Sequence, residues 1–123
     1  MRLLLDTHVL IWWDAGQRLS AAARTATRDA DEVYVSAASA WEIAIKASLG
    51  KIVCSRSVSQ ATAECGFFEL PVTFAHTAQL ATLPALHRDP FDRLLVAQAM
   101  TEDLTVLTRD PAIARYGAAV IDA

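Results

Sequence analysis

Cysteine, glycine and proline are all scarce in this sequence, with two, four and four residues among 123. That scarcity excludes a disulfide scaffold, a collagenous repeat and a flexible low-complexity chain. Cys54 and Cys65 lie at metal-ligand spacing from neither each other nor a histidine, so two buried free thiols are expected. Long hydrophobic runs are missing too. The opening apolar stretch, Leu3 to Leu5 and then Val9 to Trp13, is broken by Asp6 and His8 and is followed by no small-residue cleavage site. No stretch approaches the length that spans a bilayer. A soluble, cytoplasmic protein without membrane contact is the expectation. Basic charge is also in deficit: 11 Lys and Arg against 14 Asp and Glu give a net charge of -3. A general nucleic-acid-coating surface is thereby excluded, and any nucleic-acid contact must be local.

What the sequence does have is apolar content, 54% of its residues, in a length suited to one core. A single domain over 1–123 is expected. Arg2 to Asp6 reads as a strand buried on both faces and ending on an acid. Thr7 to Ala15 reads as a helix stopped by Gly16, and Ser20 opens an Ala-rich helix to about Ala30. Val33 to Ser36 is a second strand, with Ser36 capping a helix from Ala38 to Leu49 that Gly50 closes. Ser57 to Cys65 and Thr73 to Leu83 read as helices, with a strand from Phe67 to Leu70 between them. Asp89-Pro90 starts a helix that runs to about Asp103, since Asp is a good N-cap and Pro is tolerated at the first helical position. Thr105 to Leu107 is a strand. Asp110-Pro111 repeats the start signal for a short helix to Tyr116, and Ala119 to Ile121 is a final strand. Alternation of this kind predicts an α/β fold with a mainly parallel sheet between helices.

In such sheets the ligand crevice lies beyond the carboxyl ends of the strands, where distant acids converge. Asp6 ends the first strand, Asp110 follows the Thr105 strand, Glu42 lies in the helix after the second strand, and Asp92 lies in the first turn of the helix from Asp89. Clustered carboxylates repel one another unless a cation sits among them, and a hard divalent ion such as Mg²⁺ or Mn²⁺ answers that need. Each acid also has a plainer reading. Asp89 and Asp110 can be N-caps, Asp92 a helix-dipole partner, and Glu42 a partner of Lys46 or of a capping box from Ser39. Asp6 resists such a reading, because an acid at the end of a buried strand is costly without a partner. The histidines show no mutual spacing that suggests a metal site, and Trp12, Trp13 and Trp41 read as core or dimer packing.

Four segments together carry a resemblance: LLLDTHVLIWW at 3–13, SAASAWEIAIKASLGKI at 36–52, HRDPFDRLLVAQA at 87–99 and VLTRD at 106–110. Nearly the whole chain is similar to the PIN-domain toxins called VapC. The resemblance implies a PIN-like α/β/α sandwich with a central sheet of about four or five strands, and homodimerisation. It further implies Mg²⁺- or Mn²⁺-dependent endoribonuclease activity on RNA, with neutralisation by a VapB-type antitoxin. Carried over by position, its acids fall on Asp6, Glu42, Asp92 and Asp110. Asp6 and Asp92 are then the principal ligands, and Glu42 and Asp110 act through water or a second ion. Thr7 and Thr108 match flanking polar positions, and Asp89 is expected to be a helix cap just outside. Lys46, Arg88, Arg93 and Arg109 are candidate RNA contacts. Three other readings compete. A phosphoaspartate hydrolase would need an acid where His8 stands, a receiver domain would need a Lys on the last strand, and a catalytically silent binding module would not need all four acids.

Overall fold

The computed structural model describes residues 1–16 and 19–123. Five strands form one sheet: β1 (Arg2–Leu5), β2 (Glu32–Ser36), β3 (Phe68–Leu70), β4 (Thr105–Thr108) and β5 (Val120–Asp122), in the order β3-β2-β1-β4-β5. Every pairing is parallel. The helices are α1 (Thr7–Asp14), α2 (Ala21–Asp29), α3 (Ala37–Ser48), α4 (Val58–Glu64), α5 (Phe74–Thr82), α6 (Pro90–Glu102) and α7 (Pro111–Ala114). The expected elements are all present, each within a few residues of the bounds read from sequence.

Side chains on a strand alternate between faces, and β1 shows why its three leucines are all buried. Leu3 and Leu5 pack with Val33, Val35, Leu107 and residues of α1, α2 and α3. Leu4 points the other way, into Leu95, Val96, Val106 and Ile113, where α6 and α7 cover the sheet. Two cores thus flank the sheet and make three layers, α/β/α. Each fully buried leucine contributes about 1.5–3 kcal/mol relative to exposure.

The strand order reverses direction between β1 and β4, and the register Leu5↔Leu107 brings their carboxyl ends level. A crevice opens where helices leaving the two central strands turn to opposite sides. The N–H of Asp6 donates to the Leu107 carbonyl at 3.0 Å, which continues the pairing to the crevice mouth. Local signals fix the other helix starts there. Ser36 accepts from the Ala38 N–H to cap α3, Asp89 accepts from the Phe91 and Asp92 N–H groups to cap α6, and Asp110 accepts from the Ala112 N–H to cap α7. Gly50, at φ 71°, lets the chain leave α3 through the left-handed region.

The thiols depart from expectation: Cys54 is exposed and Cys65 half-buried. They sit on and after the connection from α3 to α4, outside both cores. Among the described residues no helix is long and apolar enough to cross a membrane.

Candidate metal centre

Asp6 emerges from β1 into a space closed by α1, β4 and α3, and it is only 4% exposed. Its Oδ2 accepts a hydrogen bond from the Thr108 hydroxyl at 2.7 Å, while among the described residues its Oδ1 is buried with no partner. Thr108 also accepts from the N–H of Asp110 at 3.0 Å, so one hydroxyl joins the end of β1 to the turn that places Asp110. Burial pushes the Asp6 carboxyl above its usual range, with nearby Glu42 adding to the push and the Thr108 hydroxyl opposing it.

Glu42 lies one and a half turns into α3 and is 2% exposed. Lys46, one turn further on, donates to its Oε2, and its Oε1 is again buried without a partner among the described residues. Sharing a proton with Glu42 raises the Lys46 pKa above that of a free lysine, aided by Asp89 and Asp92. Of the readings open for Glu42, the pairing with Lys46 is the one observed. Ser39 lies inside α3 and receives a hydrogen bond from the Thr7 hydroxyl at 2.9 Å. Thr7 therefore ties α1 to α3.

Asp92 stands in the first turn of α6, where the helix dipole favours an anion. Even so, its pKa is raised to about 7, first by burial and then by the charges of Asp6, Asp89 and Glu42. Asp110 is more accessible. Burial pushes its carboxyl up, but hydrogen bonds from Ala112 and His87 win and hold it below its usual range. Asp89 is a cap, as expected: Oδ1 accepts from two amides of the first turn of α6.

The structure brings Asp6, Glu42 and Asp92 within reach of one another's charges, and the Thr108 hydroxyl links Asp6 to the turn that places Asp110. It also adds His87, which the spacing of histidines did not reveal. The His87 Nε2 lies 2.9 Å from Asp110 Oδ2 and 3.0 Å from Asp92 Oδ2, and these three ligand atoms lie within 4.8 Å of one another. The only signal in the sequence was its place two residues before the cap of α6. Of the candidate RNA contacts, Arg88 and Arg109 are exposed, with the Arg109 guanidinium 4.3 Å above the ring of Trp12. Lys46 is engaged with Glu42. Arg93 donates to the Leu83 carbonyl at 3.3 Å and buries its Nε, so it serves the packing of α6. Trp41 is not core: it is 61% exposed and stacks edge-on against Phe91 at 5.0 Å.

A divalent cation fits this donor set. Two carboxylate oxygens that are buried and, among the described residues, unpartnered are costly to leave bare, and burial together with neighbouring carboxylates raises the pKa of both Asp6 and Asp92. A hollow between α1 and α4 has nothing comparable, since its one acid, Asp14, is paired with Arg56 at 2.8 Å.

Comparison with known proteins agrees with the geometry. The family model for the PIN domain matches residues 3–119. Ribonuclease VapC22 of Mycobacterium tuberculosis is 37% identical over 113 residues, covering 88% of this chain and 86% of that protein. Among solved structures, VapBC2 from Rickettsia felis, bound to a DNA fragment from its promoter, superposes with a TM-score of 0.70 over 99% of this chain and 98% of the other, at 14% identity. FitAcB from Neisseria gonorrhoeae gives 0.64 over 97% and 96%, at 20% identity. The fold, the four motifs in order and the relative at 37% identity together place the chain in the PIN-domain family, in its VapC group.

Proposed function

We propose that this protein is a Mg²⁺- or Mn²⁺-dependent endoribonuclease that acts as the toxin of a type II toxin-antitoxin pair, and that it cuts RNA phosphodiester bonds at the Asp6, Glu42, Asp92 and Asp110 centre. The carrying observation is the pair of buried oxygens without partners among the described residues, Asp6 Oδ1 and Glu42 Oε1, at the carboxyl end of the central strands. A bound divalent ion supplies a water of lowered pKa and stabilises charge on the leaving oxygen. The protein's part is positioning. Thr108 fixes one oxygen of Asp6 and leaves the other for the ion, and Lys46 does the same for Glu42. Asp92 completes the principal set. Asp110 has both oxygens engaged, by Ala112 and His87, and acts through water. Exposed Arg88 and Arg109 are the candidate phosphate contacts.

The relative named a ribonuclease and the VapBC complexes among the structural neighbours support the toxin reading and a VapB-type antitoxin as partner. A homodimer and a cytoplasmic location belong to the same proposal, with 1–123 acting as one domain. Trp41, Ile45 and Leu49, exposed along one side of α3, support an association surface.

The test is incubation of purified protein with RNA in Mn²⁺ or Mg²⁺, then in EDTA. Cleavage is expected with the ions, and neither in EDTA nor with Asp6→Asn. Cleavage that ignores EDTA or survives Asp6→Asn refutes the mechanism. Growth arrest on expression, relieved by Asp92→Asn, tests the toxin role, and no cleavage under any ion would point to a silent binding module.

A further inference from the structure

His87 has the geometry of a metal ligand, yet its hydrogen bonds give it a different task. Its ring is held at both nitrogens. Nδ1 accepts the backbone N–H of Asp89 at 3.2 Å, and its own backbone N–H donates to the buried Tyr116 hydroxyl at 2.8 Å. An Nδ1 that accepts a hydrogen bond carries no proton, so the neutral ring has its proton on Nε2. The imidazolium has one there as well. In either charge state, then, Nε2–H is a donor directed at Asp110 Oδ2, with Asp92 Oδ2 3.0 Å away, and no lone pair on that nitrogen is free for an ion.

We infer that His87 is a positioning residue of the centre, and that it acts by donating its Nε2–H to the Asp110 carboxylate while standing against that of Asp92, instead of binding the ion itself. The inference rests on the metal-centre reading above. One ring links the segment before α6, the first turn of α6 and the cap of α7. Without it the facing oxygens of Asp92 and Asp110 repel, and each turns toward solvent. Partners that orient ligating carboxylates in this way typically account for about 10–100-fold in metal affinity.

The test measures Mn²⁺ binding by calorimetry for the wild type, His87→Ala and His87→Gln, with pulsed EPR on the Mn²⁺-loaded wild type. His87→Ala is expected to weaken Mn²⁺ binding by about 10–100-fold. His87→Gln, whose amide N–H₂ can donate to Asp110, recovers a large part of that loss. Pulsed EPR is expected to show no directly coordinated ¹⁴N. A directly coordinated ¹⁴N in the wild type overturns the proposal whether or not the variants fold. Mn²⁺ affinity within twofold of wild type in His87→Ala, or no recovery in a folded His87→Gln, also overturns it. A wild type that binds no Mn²⁺ refutes the metal-centre reading itself, and the role of His87 falls with it.

Discussion

Replacing Asp92 with Asn is expected to stabilise the ion-free protein at pH 8 while destroying its site. Asp92 has its pKa moved from 3.8 to about 7 by burial and by the charges of Asp6, Asp89 and Glu42. At about 1.4 kcal/mol for each pH unit of that displacement, the ionised carboxylate costs the ion-free fold up to about 4 kcal/mol. The sign follows from proton uptake. Between pH 4 and 7 the folded chain holds a proton that the unfolded chain has lost, so this group's contribution is favourable at low pH and is lost as pH rises through 7. Asn is neutral at every pH and keeps the shape. Urea denaturation in EDTA is expected to show Asp92→Asn more stable than wild type by about 1–4 kcal/mol at pH 8, shrinking steadily below pH 7 and toward zero only near pH 4. Mn²⁺ then reverses the order, because an ion that binds only the folded wild type stabilises it by mass action. A variant less stable than wild type at pH 8, or a difference that does not change with pH, refutes the reasoning.

Three further substitutions probe the surroundings. Thr108→Val removes the donor to Asp6 and the acceptor for the Asp110 N–H, and chemical denaturation is expected to show a loss of about 1–3 kcal/mol together with weaker Mn²⁺ binding. Asp89→Ala deletes a cap, so about 0.5–2 kcal/mol of stability goes while calorimetry still detects Mn²⁺; loss of binding on the scale of Asp92→Asn would make Asp89 a ligand. Lys46→Met leaves Glu42 buried without its cation, and destabilises the protein in EDTA by about 1–3 kcal/mol, a deficit that Mn²⁺ narrows in thermal unfolding.

The frame of the fold was legible in the sequence because its signals are local. Three leucines ending on an acid, Ser36 ahead of an apolar helix, and the two Asp-Pro pairs each set an element boundary through capping and burial alone. The convergence of Asp6, Glu42, Asp92 and Asp110 followed from topology, since acids at the carboxyl ends of parallel strands have one crevice to share. What escaped depends on how elements are rotated against one another. Thr7 turns to Ser39 and Arg93 to the Leu83 carbonyl because α1 and α6 present those faces to their neighbours. His87 stands in a segment without periodicity, and its role appears only once β4 brings Asp110 beside it. Cys54 and Cys65 read as core residues by type, but they lie where the chain crosses the surface.

The place of β4 between β1 and β5 also governs when the protein can act during its own synthesis. Asp6 is made well before the hydroxyl that orients it and the strand that completes its pocket, since Thr108 follows it by 102 residues. A nascent chain still holding Thr105 to Asp110 inside the ribosome has β1 unpaired along one side and cannot close the pocket around Asp6.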